Sequence, residues 1–388
     1  MPEPGIVSFE EGIEVDGKRW LSRRRVHRLW YNRSGLKKTL HVTAIAALTI
    51  LFIFLFLRNS DPGRVWQIIR STNLGWFALG LMANVGALIC RTLRWRTILD
   101  PLEPPSFYST FFANAVGYML STILPVRAGD FARPALLSRR TRIKFSTALG
   151  TVLTERVFDL FAILILFVTF VLTAGSTFTA DPLTARKFLI IQSAAVTAGL
   201  LLVGMATLVV AIMLFGSKLR RAHEKLGRLV PQRFREGWMR FFDSFVGSLA
   251  LVRRSNALPR VVVLTAGIWV CLASQFYFSL LALRHPLPFS SGFFLTSVTI
   301  LGLMIPTPGG VGGFHKACQV VLTNFYHFNV SASVAVALVV HVVGVAPVIL
   351  IGAILVAREG ISWRQLSAIP EEVEGKSEAP PESGKASF

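Results

Sequence analysis

The chain has 388 residues, 53% hydrophobic and 16% charged, with a mean hydropathy of +0.56, which excludes an ordinary soluble domain and indicates a polytopic membrane protein. The net charge of +20, from 41 Lys and Arg against 21 Asp and Glu, does not imply nucleic acid. The basic residues fall between apolar runs, where the positive-inside rule puts them, so membrane lipids with anionic headgroups are the expected partner. Cys90, Cys271 and Cys318 each lie in or beside an apolar run, which rules out a disulfide framework and a metal spacing and makes them core thiols. Neither a metal nor any other cofactor is expected.

Residues 1–38 form a basic segment, too long and polar for a signal peptide. It holds Lys18, Arg19, Arg23, Arg24, Arg25, Arg28, Arg33, Lys37 and Lys38, so the N-terminus is expected in the cytoplasm, ahead of a first apolar run over 40–57. A second run, 74–90, returns inward and ends in Arg91-Thr92-Leu93-Arg94-Trp95-Arg96. There Trp95 reads as an interfacial anchor, and the arginines read as interfacial charge or as a funnel for acidic headgroups.

The third run, 107–124, breaks at Leu124-Pro125-Val126-Arg127-Ala128-Gly129-Asp130, and Arg133 follows. A full crossing here would carry Arg127, Arg133, Arg139, Arg140, Arg142 and Lys144 outside, against the charge bias. The expected element is a re-entrant hairpin, entering over 107–124, breaking at 125–129 and returning over 131–137. Irregular backbone at membrane depth is tolerated only inside protein or beside a wet cavity, so the break is a candidate substrate site, a cytoplasmic surface loop being the plainer alternative.

The fourth run, 147–174, carries Glu155, Arg156 and Asp159, roughly 15 to 20 Å into the helix. Each such charge costs about 2.5 to 3.5 kcal/mol on insertion scales, and charges of this kind usually line a pathway. Glu155 and Asp159 share a face, and Arg156 is spaced to pair with Asp159; a structural ion pair between helices is the other reading. A fifth run, 188–215, leads inward to 217–260, where eleven Lys and Arg stand against three acids. Phe234, Trp238, Phe241, Phe245 and Leu249 recur there at helical spacing, as in an amphipathic interfacial helix.

Residues 261–283 cross again. The run 289–305 then meets Pro306-Thr307-Pro308-Gly309-Gly310-Val311-Gly312-Gly313-Phe314-His315, where two prolines and four glycines cannot continue a helix. No strand precedes it and no Gly-Lys-Ser/Thr ends it, so it is not a nucleotide loop. Residues 314–325 return, 332–356 make the last crossing, and 358–388 read as a disordered tail.

Setting Pro125 over Pro306 gives an offset of 181, and nearly the same offset carries the second run onto the sixth and the fourth onto the eighth. The expected fold class is therefore an all-α polytopic membrane protein with six crossing helices and two re-entrant helical hairpins in an inverted repeat, a transporter design with its site near the midplane. Repeat one covers 39–174 and repeat two 188–357 within one integral membrane domain, 39–357.

Asn114, Gly117, the Leu124-Pro125-x-Arg127-x-Gly129-Asp130 run with Arg133, the Glu155-Arg156-x-x-Asp159 set and Pro306-x-Pro308-Gly309-Gly310-x-Gly312 together resemble the lysylphosphatidylglycerol synthase transmembrane-region family, over about residues 40 to 357. The resemblance implies a flippase-like, non-enzymatic member without the cytosolic aminoacyl-transfer domain, in a bacterial cytoplasmic (inner) membrane with both termini inside. It would handle a phospholipid or an isoprenoid-type lipid, hopanoid or polyprenyl-linked, with lipid-biosynthesis enzymes as possible partners. The family usually has Glu where this chain has Asp130 and His315, and Arg where it has His341. Arg127, Arg133 and Arg156 are expected to hold phosphate, with Asp130, Glu155 and Asp159 as counter-charges or proton carriers. Asn114, Pro306, Gly309, Gly310, His315 and His341 complete the candidate substrate-binding set. An intramembrane polyprenyl-phosphate transferase or phosphatase, or a scaffold subunit, is the alternative.

Overall fold

A computed structural model describes residues 14–15, 18–19, 43, 47–123, 129–178, 182–226, 239, 243, 245–249, 256–303 and 310–362. A two-residue antiparallel pair, β1 (Glu14–Val15) with β2 (Lys18–Arg19), lies in the N-terminal segment. The rest is helical: α1 (Ala47–Leu57), α2 (Pro62–Arg70), α3 (Leu74–Leu99), α4 (Phe107–Ile123), α5 (Gly129–Ser138), α6 (Phe145–Phe178), α7 (Pro182–Leu226), α8 (Leu258–Ala282), α9 (Ser290–Leu303), α10 (Gly313–Phe325) and α11 (Val330–Arg358). Among the described residues five stretches are long and apolar enough to cross a membrane: Leu74–Leu99, Phe145–Thr173, Leu189–Ile212, Leu258–Ala282 and Val330–Arg358. The chain is thus a multi-pass membrane protein. Most of the basic N-terminal segment, half of 217–260 and the tail beyond 362 lie outside the described residues.

Local sequence sets the helix ends. Asp61 caps α2 by accepting from the backbone N–H groups of Gly63 and Arg64, with Pro62 at the first turn, and Asn73 caps α3 through Gly75 and Trp76. The second apolar run ends at Cys90, but the helix does not. No breaker intervenes before Asp100-Pro101, so α3 continues through Arg91–Arg96 and carries that basic block into the bundle.

α4 and α5 form a tight antiparallel hairpin. A Cβ on Gly129 would fall 1.9 Å from the Gly117 carbonyl oxygen, and one on Gly117 would fall 2.2 Å from Arg133 Cγ; only glycine permits this approach. α9 and α10 repeat the arrangement, with Gly302 against the Gly313 carbonyl and Phe294 against Phe325. Each hairpin also leans on the other half of the chain, α4 on α11 and α9 on α6.

The most extensive interface joins α3 to α8, and it is antiparallel: Asn73 N–H donates to the Ala282 carbonyl near one end, and Ile98 packs with Val261 near the other. Gly86 faces Cys271 and Gly267 faces Cys90. Those four residues are two pairs 181 positions apart, so the offset read from the proline motifs is the offset of a structural two-fold between helices that run in opposite directions.

Candidate functional site

The intramembrane charges of α6 converge on the first hairpin. Arg133 of α5 lies wholly buried, its Nη2 donating to Glu155 Oε2 at 2.6 Å. Glu155 Oε1 accepts from Arg94 Nε at 3.3 Å, and Arg94 Nη1 reaches Asp159 Oδ1 at 2.6 Å and Thr265 Oγ1 at 3.1 Å. Arg156 Nη1 donates to Asp159 Oδ2 at 3.3 Å and its Nη2 to Asp130 Oδ1 at 2.9 Å. Three arginines and three carboxylates so form one chain of ion pairs. Its inner members, Arg94, Arg133 and Glu155, are fully buried; at its outer edge the side chains of Arg156 and Asp130 are 40% and 32% exposed.

Aromatic groups shape this cluster. The Arg133 guanidinium sits 4.6 Å from the Trp95 ring and 4.9 Å from the Tyr118 ring, and Arg91 lies 5.0 Å from Tyr118. Trp95 is no interfacial anchor: it is fully buried, and its Nε1 donates to Thr151 at 2.9 Å. Donors remain over. Arg94 Nη2, Arg133 Nε and Arg156 Nε are buried and have no partner among the described residues, an arrangement able to receive the oxygens of an anionic group.

The sequence-derived candidates divide accordingly. Asp130, Arg133, Glu155, Arg156 and Asp159 meet in this cluster. Asn114 is buried beside it and donates to Thr92 at 3.2 Å. Arg127, Pro306 and Gly309, with the breaks 124–128 and 304–309, lie outside the described residues. His315 and His341 sit apart in the second half, their rings 4.6 Å between centroids. Gly310 and Gly312 adopt φ of +69° and +96°, where side chains are strained, and a Cβ would meet Leu303 Cδ2 at 2.1 Å and Phe52 Cβ at 2.4 Å respectively.

Sequence reasoning did not single out Arg94 for the site, nor Tyr118 or Thr265. The 181-residue offset carried the missing signal, since it sets Arg94 over Gln275 and Asn84 over Thr265. At the place related by the two-fold, Asn84 Nδ2 donates to Gln275 Oε1 at 2.8 Å, and Gln275 Nε2 reaches the Val340 carbonyl at 3.4 Å. The Arg94–Thr265 contact thus has an uncharged counterpart at the equivalent place.

The chain is 26% identical over 238 residues to UPF0104 membrane protein MJ1078 of Methanocaldococcus jannaschii, covering 61% of this chain and 92% of that protein. It is 24% identical over 345 residues to Glycosyltransferase AglD of Haloferax volcanii, covering 82% of this chain but only 55% of that protein. A UPF0104 membrane protein of Methanothermobacter thermautotrophicus is 29% identical over 115 residues, covering 29% of this chain and 34% of that protein. All three relatives are archaeal. The lysylphosphatidylglycerol synthase TM region matches residues 42–352, and the chain belongs to that family.

Proposed function

We propose that the protein moves a lipid with an anionic headgroup, a phospholipid or a polyprenyl-linked or hopanoid lipid, between the leaflets of a cytoplasmic membrane. The observation that carries this reading is the ion-pair chain at the tip of the first hairpin: buried arginines with donors to spare, opening through half-exposed Arg156 and Asp130. A lipid phosphate entering at that edge exchanges carboxylate for phosphate on Arg156 and meets Arg133 and Arg94 behind it, while the acyl or prenyl chains stay in the bilayer. The apolar faces of α6 and α7 suit that division, with Leu160, Ile165, Leu172, Leu200 and Val203 exposed.

In this reading α4–α5 and α9–α10 are re-entrant, the first entering from the cytoplasm and the second from outside. The supports are the antiparallel α3–α8 pair and the basic residues 139–144 that follow α5. Counting a first crossing that ends at Leu57, the chain crosses six times with both termini inside. Transport is favoured over catalysis because the carboxylates are committed. Glu155 and Asp159 each engage arginines through both oxygens, which suits counter-ions better than a free general acid or base.

Reconstitution into liposomes with a fluorescent, dithionite-quenchable anionic lipid tests the proposal. Protein-dependent loss of the protected inner-leaflet signal is expected, and Arg156→Gln should slow it at least tenfold. Protection unchanged by the protein for anionic and zwitterionic lipids alike would overturn it.

A further inference from the structure

The translocation reading leaves His315 and His341 without a task. The two rings lie 4.6 Å apart at 40°, between Phe56 of α1, 5.1 Å from His315, and Phe314, 5.3 Å from His341. His315 is 4% exposed. The backbone N–H of Gly312 donates to its Nδ1 at 3.3 Å, so that nitrogen holds a lone pair and the ring carries its proton on Nε2. This bond caps α10 and fixes the turn in which Gly310 and Gly312 take positive φ.

Among the described residues, the charged groups on α10 and at the end of α1 are cationic. Lys316 of α10 points away, donating to the Leu55 carbonyl and to Gln319 Oε1. Arg58, just beyond α1, adds a second positive charge near Lys316. α8 offers Phe276 and α9 Leu303, while α11 brings His341. No carboxylate touches either ring among the described residues.

We propose that His315 and His341 form a proton-binding site in the second hairpin, filled as that hairpin parts from α1 and α11. A proton added at His315 Nδ1 takes away the acceptor for the Gly312 N–H and sets two donors against each other. The resulting imidazolium has no counter-charge inside a phenyl-lined box, whereas water solvates it once the hairpin has moved. Linkage fixes the sign: the open arrangement binds more protons than the closed one, so acid favours opening and rising pH favours closure. The site itself stands on the geometry of the histidine pair; that its opening admits lipid at the second hairpin rests on the translocation reading.

Hydrogen exchange on the full chain in lipid nanodiscs, at neutral pH and at about pH 5.5, tests the site without any transport readout. After division by the intrinsic exchange rate at each pH, amide protection over 312–318 should fall in acid by up to about tenfold per pH unit, the limit for uptake of one proton. Protection over 129–138 in the same sample should not change. His315→Gln, whose amide oxygen can still accept from Gly312, and His341→Gln should each flatten the response, so either one that folds suffices. A wild-type protein with no acid response, or a variant with the wild-type response, would overturn the proposal. An acid response in a protein inert toward every lipid would leave the proton site standing and remove the translocation reading.

Discussion

In the first half of the chain, the junction of hairpin, crossing helix and central helix holds Arg133, Glu155 and Arg94. In the second half the 181-residue offset sets Phe314, Val336 and Gln275 at those places, with Gln275 reaching the Val340 carbonyl. Both junctions close around a polar side chain on the central helix, yet only one carries formal charge. The second half shows that the backbone arrangement can be built with neutral groups, at far smaller desolvation cost than buried ions incur. The charges of the first half are therefore not a folding requirement of the motif, which is the physical ground for assigning them a task.

The largest effect should come from breaking the charged junction on one side only. Glu155→Leu leaves Arg94 with Asp159 alone and Arg133 without a carboxylate, and should lower stability in detergent by about 3–5 kcal/mol. The double variant Arg133→Leu with Glu155→Leu should lie closer to wild type than Glu155→Leu does. Thermal unfolding of the four proteins of the cycle checks this, and simple additivity would mean the pair is not coupled. Gln275→Arg, which puts a cation where the second half supplies no carboxylate, should cost a comparable amount.

A smaller effect separates the two hairpins by the kind of glycine each needs. Gly129 and Gly310 are 181 residues apart, but Gly129 is held by close approach to the Gly117 carbonyl and Gly310 by its φ of +69°. Gly129→Ala and Gly310→Val should each cost roughly 1–3 kcal/mol, against well under half that for Val311→Ala. Unfolding midpoints decide it, and equal tolerance of Gly310→Val and Val311→Ala would make the second turn a mere flexible loop.

The smallest effect lies at the rim, where Arg140 donates to Glu359 just past α11 and its guanidinium stacks 3.6 Å from the Phe112 ring centroid. The hydrogen bond from Arg140 holds the Glu359 carboxyl below its ordinary value. The pair's contribution is thus present above the ordinary carboxylate range and fades as pH falls through the lowered value. For so exposed a pair it should stay under about 1 kcal/mol. Glu359→Gln should remove that pH dependence of the unfolding midpoint and little else.

Legibility in the sequence followed the physics of each signal. Charges inside an apolar run stand out, so Glu155, Arg156 and Asp159 were visible, and the proline and glycine breaks located both hairpins to within a few residues. Arg94 was hidden because Arg91, Arg94 and Arg96 together look like positive-inside charge, and one-dimensional hydropathy cannot tell which face of a continuing helix turns inward. Trp95 was misread for the same reason. The nine-residue α2 passed unnoticed beside the longer runs, although Asp61-Pro62 is a helix-start signature. The pairing of His315 with His341 had no local signal: 26 positions apart in the chain, they meet only because α10 packs on α11.

The exchange of supports between the halves, α4 resting on α11 and α9 on α6, also constrains how the protein is made. Synthesis runs from the N-terminus, so the first hairpin emerges long before the helix it leans on, and α11 completes it only after the second hairpin has been made. Until α11 arrives, Met119 and Ala115 of α4 lack the Gly352 surface against which they pack, and the nascent first half has to wait in a loosened form or be held by insertion factors. Chains ending before residue 330 should thus expose the 107–138 segment to protease in isolated membranes, while chains ending after 362 protect it.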